Sequence, residues 1–135
     1  MWICLNNAFI SIVTMPGEPD NLLVRARRPG DLEAVFPGCA VVRTPKRDYL
    51  YRTVLPRAVV GLAISQHIGS ISYPNFKNSV QNDKLHDAYG ATWVTMAKLQ
   101  AVRPYANDSF AAQRIEYRFM QEEGRPVGVA AGASA

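Results

Sequence analysis

Histidine and cysteine are scarce in this 135-residue chain, which holds two of each. Cys4 and Cys39 could form at most one disulfide, and nothing else marks a secreted, staple-dependent fold. Both sit in apolar, strand-like surroundings and are expected as reduced, buried thiols. No apolar run reaches the about 20 residues that span a bilayer; the first, residues 2–13, is interrupted by Asn6 and Asn7. No Lys or Arg precedes Arg25, so the positive start of a signal peptide is missing. The expectation is a cytoplasmic protein with no membrane partner. There is also no Walker loop, no G-x-G-x-x-G and no G-x-S-x-G elbow. Zinc-finger spacing, an RNP aromatic pattern and a KH-type GXXG loop are missing as well. No cofactor, metal site or catalytic residue is therefore assigned.

What the chain does have is a core and an uneven charge. Hydrophobic residues make up 48%, ordinary for a globular domain, and the length suits one domain. The formal charge is +4. Residues 22–57 hold eight Lys/Arg against three acids, while the rest of the chain holds seven against eight. The entire surplus lies in about a quarter of the sequence. A cationic region permits an anionic partner, either nucleic acid or an acidic protein face, without choosing between them.

Along the chain, residues 2–13 carry apolar residues on both sides and read as one central strand covered by helices. Asn6 and Asn7 mark a bulge in it or face a site. Residues 15–21, with two prolines and a glycine, read as a loop. Residues 22–28 alternate, with Leu22, Val24 and Ala26 on one face and Leu23, Arg25 and Arg27 on the other. That is a half-buried strand with a cationic outer side, paired antiparallel with the first. Pro29-Gly30 is a turn, and Asp31 suits the N-cap of a short helix over 32–36 that closes at Pro37-Gly38. A strand over 40–43 and a Thr44-Pro45-Lys46-Arg47 turn lead to a return strand over 49–55. There Leu50 and Val54 are expected inward, with Tyr49 and Tyr51 beside the arginines.

Pro56 opens a helix over 56–67, whose stripe of Val60, Ile64, His67, Ile68 and Ile71 should face the sheet. A longer helix runs over 79–102 with Leu85, Tyr89, Trp93 and Met96 at helical spacing. Gly90, unfavourable in mid-helix by about 1 kcal/mol, suggests close packing. A third helix over 110–123 and a flexible tail over 124–135 complete the reading. The fold class is α+β: a four-stranded antiparallel sheet with two main helices on one face, in a single domain over 1–123.

The candidate site is cationic and comprises Arg25, Arg27, Arg28, Arg43, Lys46, Arg47, Tyr49, Tyr51, Arg52 and Arg57. Arginine suits bidentate contact with phosphate or carboxylate, and tyrosine offers a stacking face. The short helix could also aim its amides at an anion held by Arg28. The plainer reading is a solvated face whose charges protect a sheet edge. A second constellation, Asp83, His86 and Asp87, shares one helix face and could move a proton or bind a metal. Its plainer reading is acids placed favourably in a first helical turn. His67, near a helix C-terminus, reads as packed or capping.

Trp2-Ile3-Cys4-Leu5-Asn6, Leu23-Val24-Arg25-Ala26-Arg27, Pro29-Gly30-Asp31-Leu32, Asp48-Tyr49, Tyr73-Pro74-Asn75-Phe76-Lys77 and His86-Asp87-Ala88-Tyr89 together resemble a family of short, uncharacterised bacterial and phage proteins. The likeness runs over residues 1–99. It implies an intracellular protein borne by a phage or mobile element. Small phage proteins of this kind often block a host machine, anti-CRISPR proteins among them, so a host nucleoprotein complex is an implied partner. No functional residue carries over, and the positive charge departs from inhibitors that mimic nucleic acid with acidic surfaces. The leading expectation is a non-enzymatic binding protein whose Arg/Tyr sheet face and hairpin meet an anionic macromolecule. The alternatives are an anti-CRISPR-like inhibitor acting by protein contact and a small enzyme using His86 and Asp87.

Overall fold

The structure, a computed structural model, describes residues 1–101. Met1–Trp93 forms one compact unit, and the sheet belongs wholly to it. The long helix expected over 79–102 is shorter, Asp83–Ala97, with turns following it; the expected third helix, the tail and the domain boundary at 123 lie outside the described residues.

The strands are β1 (Trp2–Cys4), β2 (Phe9–Met15), β3 (Glu18–Ala26), β4 (Val42–Arg43) and β5 (Tyr51–Pro56). They form an open antiparallel sheet in the order β1-β2-β3-β5-β4. The helices are α1 (Asp31–Val35), α2 (Arg57–Gly69), α3 (Phe76–Ser79) and α4 (Asp83–Ala97). The fold is α+β as expected, with five strands instead of four. The fifth arises because residues 2–13 are a hairpin and not one central strand. Asn6-Asn7 makes the reversal, and the Leu5 N–H donates to the Ala8 carbonyl across it at 2.8 Å. Asparagine favours turns by bonding its own backbone, so β1 becomes an edge.

The stretch expected as a loop over 15–21 is a tight hairpin instead. Met15 pairs with Glu18 around Pro16-Gly17, and Gly17 has φ 79°. Pro followed by a glycine of positive φ is the order of a type II turn.

Cross-strand register divides the sheet into two faces, because directly paired residues point the same way. One face carries Ile10 and Ile12, Leu22, Val24 and Ala26, and Tyr51, Thr53 and Leu55. Leu32, Val35 and Phe36 from the α1 region and Val60 from α2 close over it. Ile10, Val24 and Leu32 are fully buried, each worth about 1.5–3 kcal/mol of transfer free energy. The alternation expected for residues 22–28 therefore holds. The return strand is the reverse of the expectation: Thr53 is buried and Val54 is 40% exposed. Pairing with β3 sets this, since Val24, already inward, faces Thr53.

The helices do not share one face. Leu85 and Tyr89 of α4 form a second cluster with Val80, Phe76 and Phe9, and Phe9 projects from the opposite side of the sheet to Ile10. The Tyr89 hydroxyl lies 2.9 Å from the Leu5 carbonyl and 2.8 Å from that of Ala8, pinning the β1–β2 turn to α4. The α2 stripe seats Val60 and Ile64 on the core, but Ile68 and Ile71 lie beyond its reach and are exposed. A Cβ at Gly90 would meet nothing within 4 Å, so the expected close packing there is absent. Cys39 is half-buried and Cys4 exposed, both unpaired, which corrects the expectation of two buried thiols. No helix among the described residues is long and apolar enough to cross a membrane.

Candidate functional site

The face away from α1 and α2 carries a single row across all five strands: Trp2, Ser11, Arg25, Arg52 and Val42, each paired with the next. Strand β3 places Arg25 there because its neighbours Val24 and Ala26 are fully buried. The Arg25 Nη2 donates to the buried Ser11 hydroxyl at 2.8 Å, while its Nε is buried with no acceptor among the described residues. No carboxylate among the described residues pairs with Arg25.

Tyr49 completes the arrangement from the loop before β5. The Arg25 and Arg27 guanidinium carbons lie 4.5 and 4.4 Å from its ring centroid, cation–π contacts of about 0.5–2 kcal/mol each. The loop is held from both ends. Thr44 Oγ1 donates to the Tyr49 carbonyl at 3.0 Å, Arg52 Nε donates to Thr44 Oγ1 at 3.1 Å, and Arg27 Nη1 donates to the Asp48 carbonyl at 2.8 Å. Arg52 also pairs with Asp48 at 3.3 Å. The result is three arginines and one carboxylate about Tyr49, two of the guanidinium groups against its ring, on a face that no helix of the described residues covers at this row. Tyr49 is only 3% exposed, so it props the arginines and offers no free stacking surface.

The ten expected residues separate in space. Arg25, Arg27, Tyr49 and Arg52 come together on the open face. Lys46 and Arg47 are exposed in the loop that folds Tyr49 onto it. Tyr51 lies on the core side, packed against the hydrophobic cluster, and exposed Arg43 is registered with it on that side. This corrects the expectation that Tyr49 and Tyr51 share a face: Tyr49 precedes β5 and is outside its alternation. Arg57 opens α2 and donates to the Pro19 carbonyl at 2.6 Å.

Arg28 is a structural clasp. It pairs with Asp31 at 2.6 Å, and donates to Asn82 Oδ1 at 2.9 Å and to the Asn7 carbonyl at 3.2 Å. The hydrogen bond to Asp31 holds its pKa above the ordinary value, burial opposing this in part. Asp31 is not the expected N-cap. Gly30 holds that position with φ 84° and no side-chain cap, and Asp31, buried inside α1, also accepts the Phe9 N–H at 3.2 Å. No anion can share Arg28 with the helix amides while Asp31 occupies it.

Sequence reasoning missed Trp2. Its ring is 72% exposed at the end of the row and meets Phe9 edge-on at 6.3 Å. The signal was Asn6-Asn7: read as a hairpin turn, it puts Trp2 on an edge strand. In the second constellation, His86 Nδ1 lies 3.8 Å from Asp87 Oδ1, with the side chains 48% and 86% exposed. Asp83 and His86 line an open groove of about 420 Å³ between α3 and α4. Burial pushes both thiols up, Cys39 with help from Glu33, which leaves them protonated and poor nucleophiles.

The sequence matches no family model, no curated protein and no solved structure. Function has to be read from the geometry.

Proposed function

We propose that this protein is a non-enzymatic binding module that engages an anionic macromolecule through the open sheet face. The observation that carries the reading is the pair Arg25 and Arg27, two guanidinium groups against the Tyr49 ring with no carboxylate paired to either among the described residues. Within the described residues no carboxylate offsets these charges, so an external anion has something to neutralise. Arg27, Lys46 and Arg47 extend the same cationic surface around the Tyr49 loop, while Arg28 serves the fold.

Fluorescence anisotropy with labelled nucleic acid over a salt series tests this. Binding should weaken steeply as salt rises. Replacing Arg27, Lys46 and Arg47 together by alanine should lower the salt slope by about one per phosphate contact removed. Arg28→Ala should leave affinity nearly unchanged while lowering stability. Flat titrations at low salt would remove the reading.

A second reading is an anti-CRISPR-like inhibitor that docks on a host nucleoprotein complex. The exposed Val42 and Val54 on the same face, together with the resemblance to phage proteins, favour it. Expression in a host with an active defence system should raise phage plating, and unchanged plating would dismiss it.

A further inference from the structure

We infer that the ligand of this face is single-stranded nucleic acid, with a base stacked on Trp2 and the backbone held by Arg25 and its neighbours. The inference rests on the binding reading above and names the class of partner. Trp2, Ser11, Arg25 and Arg52 are successive partners across four adjacent strands. At about 4.8 Å per strand, the Trp2 backbone stands roughly 10 Å from that of Arg25 and about 14 Å from that of Arg52. Between them lies Ser11, covered at 1% exposure, and the Arg25 guanidinium donates to its hydroxyl at 2.8 Å, so a cation reaches the middle of the row, one strand from the aromatic. That is the arrangement a sheet uses to stack bases while basic groups follow the backbone.

Two further observations favour a single strand over other anions. A tryptophan exposed at 72% on a sheet face has no role in the core, and indole is suited to partners with a flat apolar surface. An acidic peptide would use the arginines but not the ring. A duplex hides its bases, and this broad face presents no helix or ribbon to enter a groove. The charge is complementary as well. Among the described residues, Asp48, already paired with Arg52, is the one carboxylate in the cluster of Arg25, Arg27, Arg52 and Tyr49.

The test uses the full chain and four probes: a short fluorescent oligothymidylate of about 12 nucleotides, a duplex of equal length, inorganic polyphosphate and polyglutamate. The oligothymidylate should bind more tightly than the duplex or polyglutamate. Trp2→Ala should weaken oligothymidylate binding by about 5- to 100-fold and leave polyphosphate binding unchanged. Trp2→Phe should restore most of the loss. In a Trp93→Phe background, the remaining indole emission should be quenched on adding oligothymidylate. Equal binding of duplex, insensitivity to Trp2→Ala, or a preference for polyglutamate overturns the inference while leaving a polyanion-binding face. Failure of all four probes to bind removes both readings. Trp2 is exposed on an edge strand, so circular dichroism should show its variants folded; an unfolded Trp2→Ala with an intact but non-binding Trp2→Phe would also count against stacking.

Discussion

Asp31 carries more of the local structure than its place in a five-residue helix suggests. It is 2% exposed and takes hydrogen bonds from the Phe9 amide and from Arg28. Asp31→Ala would leave the amide and the guanidinium short of an acceptor, at about 2–3 kcal/mol. Urea unfolding should show a lower midpoint with an unchanged slope. Asp31→Asn should be milder, because its amide oxygen can still accept from Phe9.

Tyr89 sets the response to alkali. Burial pushes its phenol well above the ordinary value, with Cys4 and Asp31 adding to the rise. The native state therefore keeps a proton that the unfolded chain releases near pH 10. Its contribution is fully present below about pH 10 and is lost as pH rises further. Urea midpoints measured against pH should decline above pH 10 in the parent and less steeply in Tyr89→Phe. At neutral pH that variant should be less stable by about 1 kcal/mol, having lost the donor to Leu5 and Ala8.

At the scale of elements, two glycines should answer oppositely to the same substitution. Gly30 precedes α1 at φ 84°, and a Cβ there would meet nothing within 4 Å. Gly30→Ala is thus disfavoured by the backbone alone, at about 1–2 kcal/mol. Gly90 sits inside α4 in equally open space without a positive φ. Gly90→Ala should stabilise the protein by up to about 1 kcal/mol. Thermal unfolding of the two variants checks both signs. The short helix α1 follows the same logic, since its place depends on the Gly30 turn and the Asp31–Arg28 clasp more than on helix propensity over five residues.

For the whole molecule, the formal charge of +4 is less informative than its disposition. Arg28 is spent inside the fold, Arg43 lies on the other side of the sheet, and Arg25, Arg27 and Arg52 gather around Tyr49. An electrostatic surface therefore exists, but with fewer members than a linear count of residues 22–57 implies. Ionic strength should accordingly modulate partner binding strongly and stability weakly, because exposed charges are screened while the buried Asp31 contacts are not.

Period-two alternation in residues 22–28 was enough to assign β3, its inward residues and the outward Arg25, since a side chain on a pleated strand has only two directions available. Helices α2 and α4 were legible in part from apolar spacing: Val60, Ile64, Leu85 and Tyr89 pack inward, while Ile68, Ile71, Trp93 and Met96 of the same expected stripes are exposed. The inward face of β5 was not legible, because Tyr51, Thr53 and Leu55 differ little in polarity from Leu50, Arg52 and Val54. Pairing with Val24 decided it. Nor could local pattern show that Arg28 would be claimed by Asp31, Asn7 and Asn82, or that Trp2 would stand in register with Arg25. Those depend on which distant segments meet. Charge and periodicity are written residue by residue along the chain, whereas register and the choice of ion-pair partner exist only once the strands are side by side.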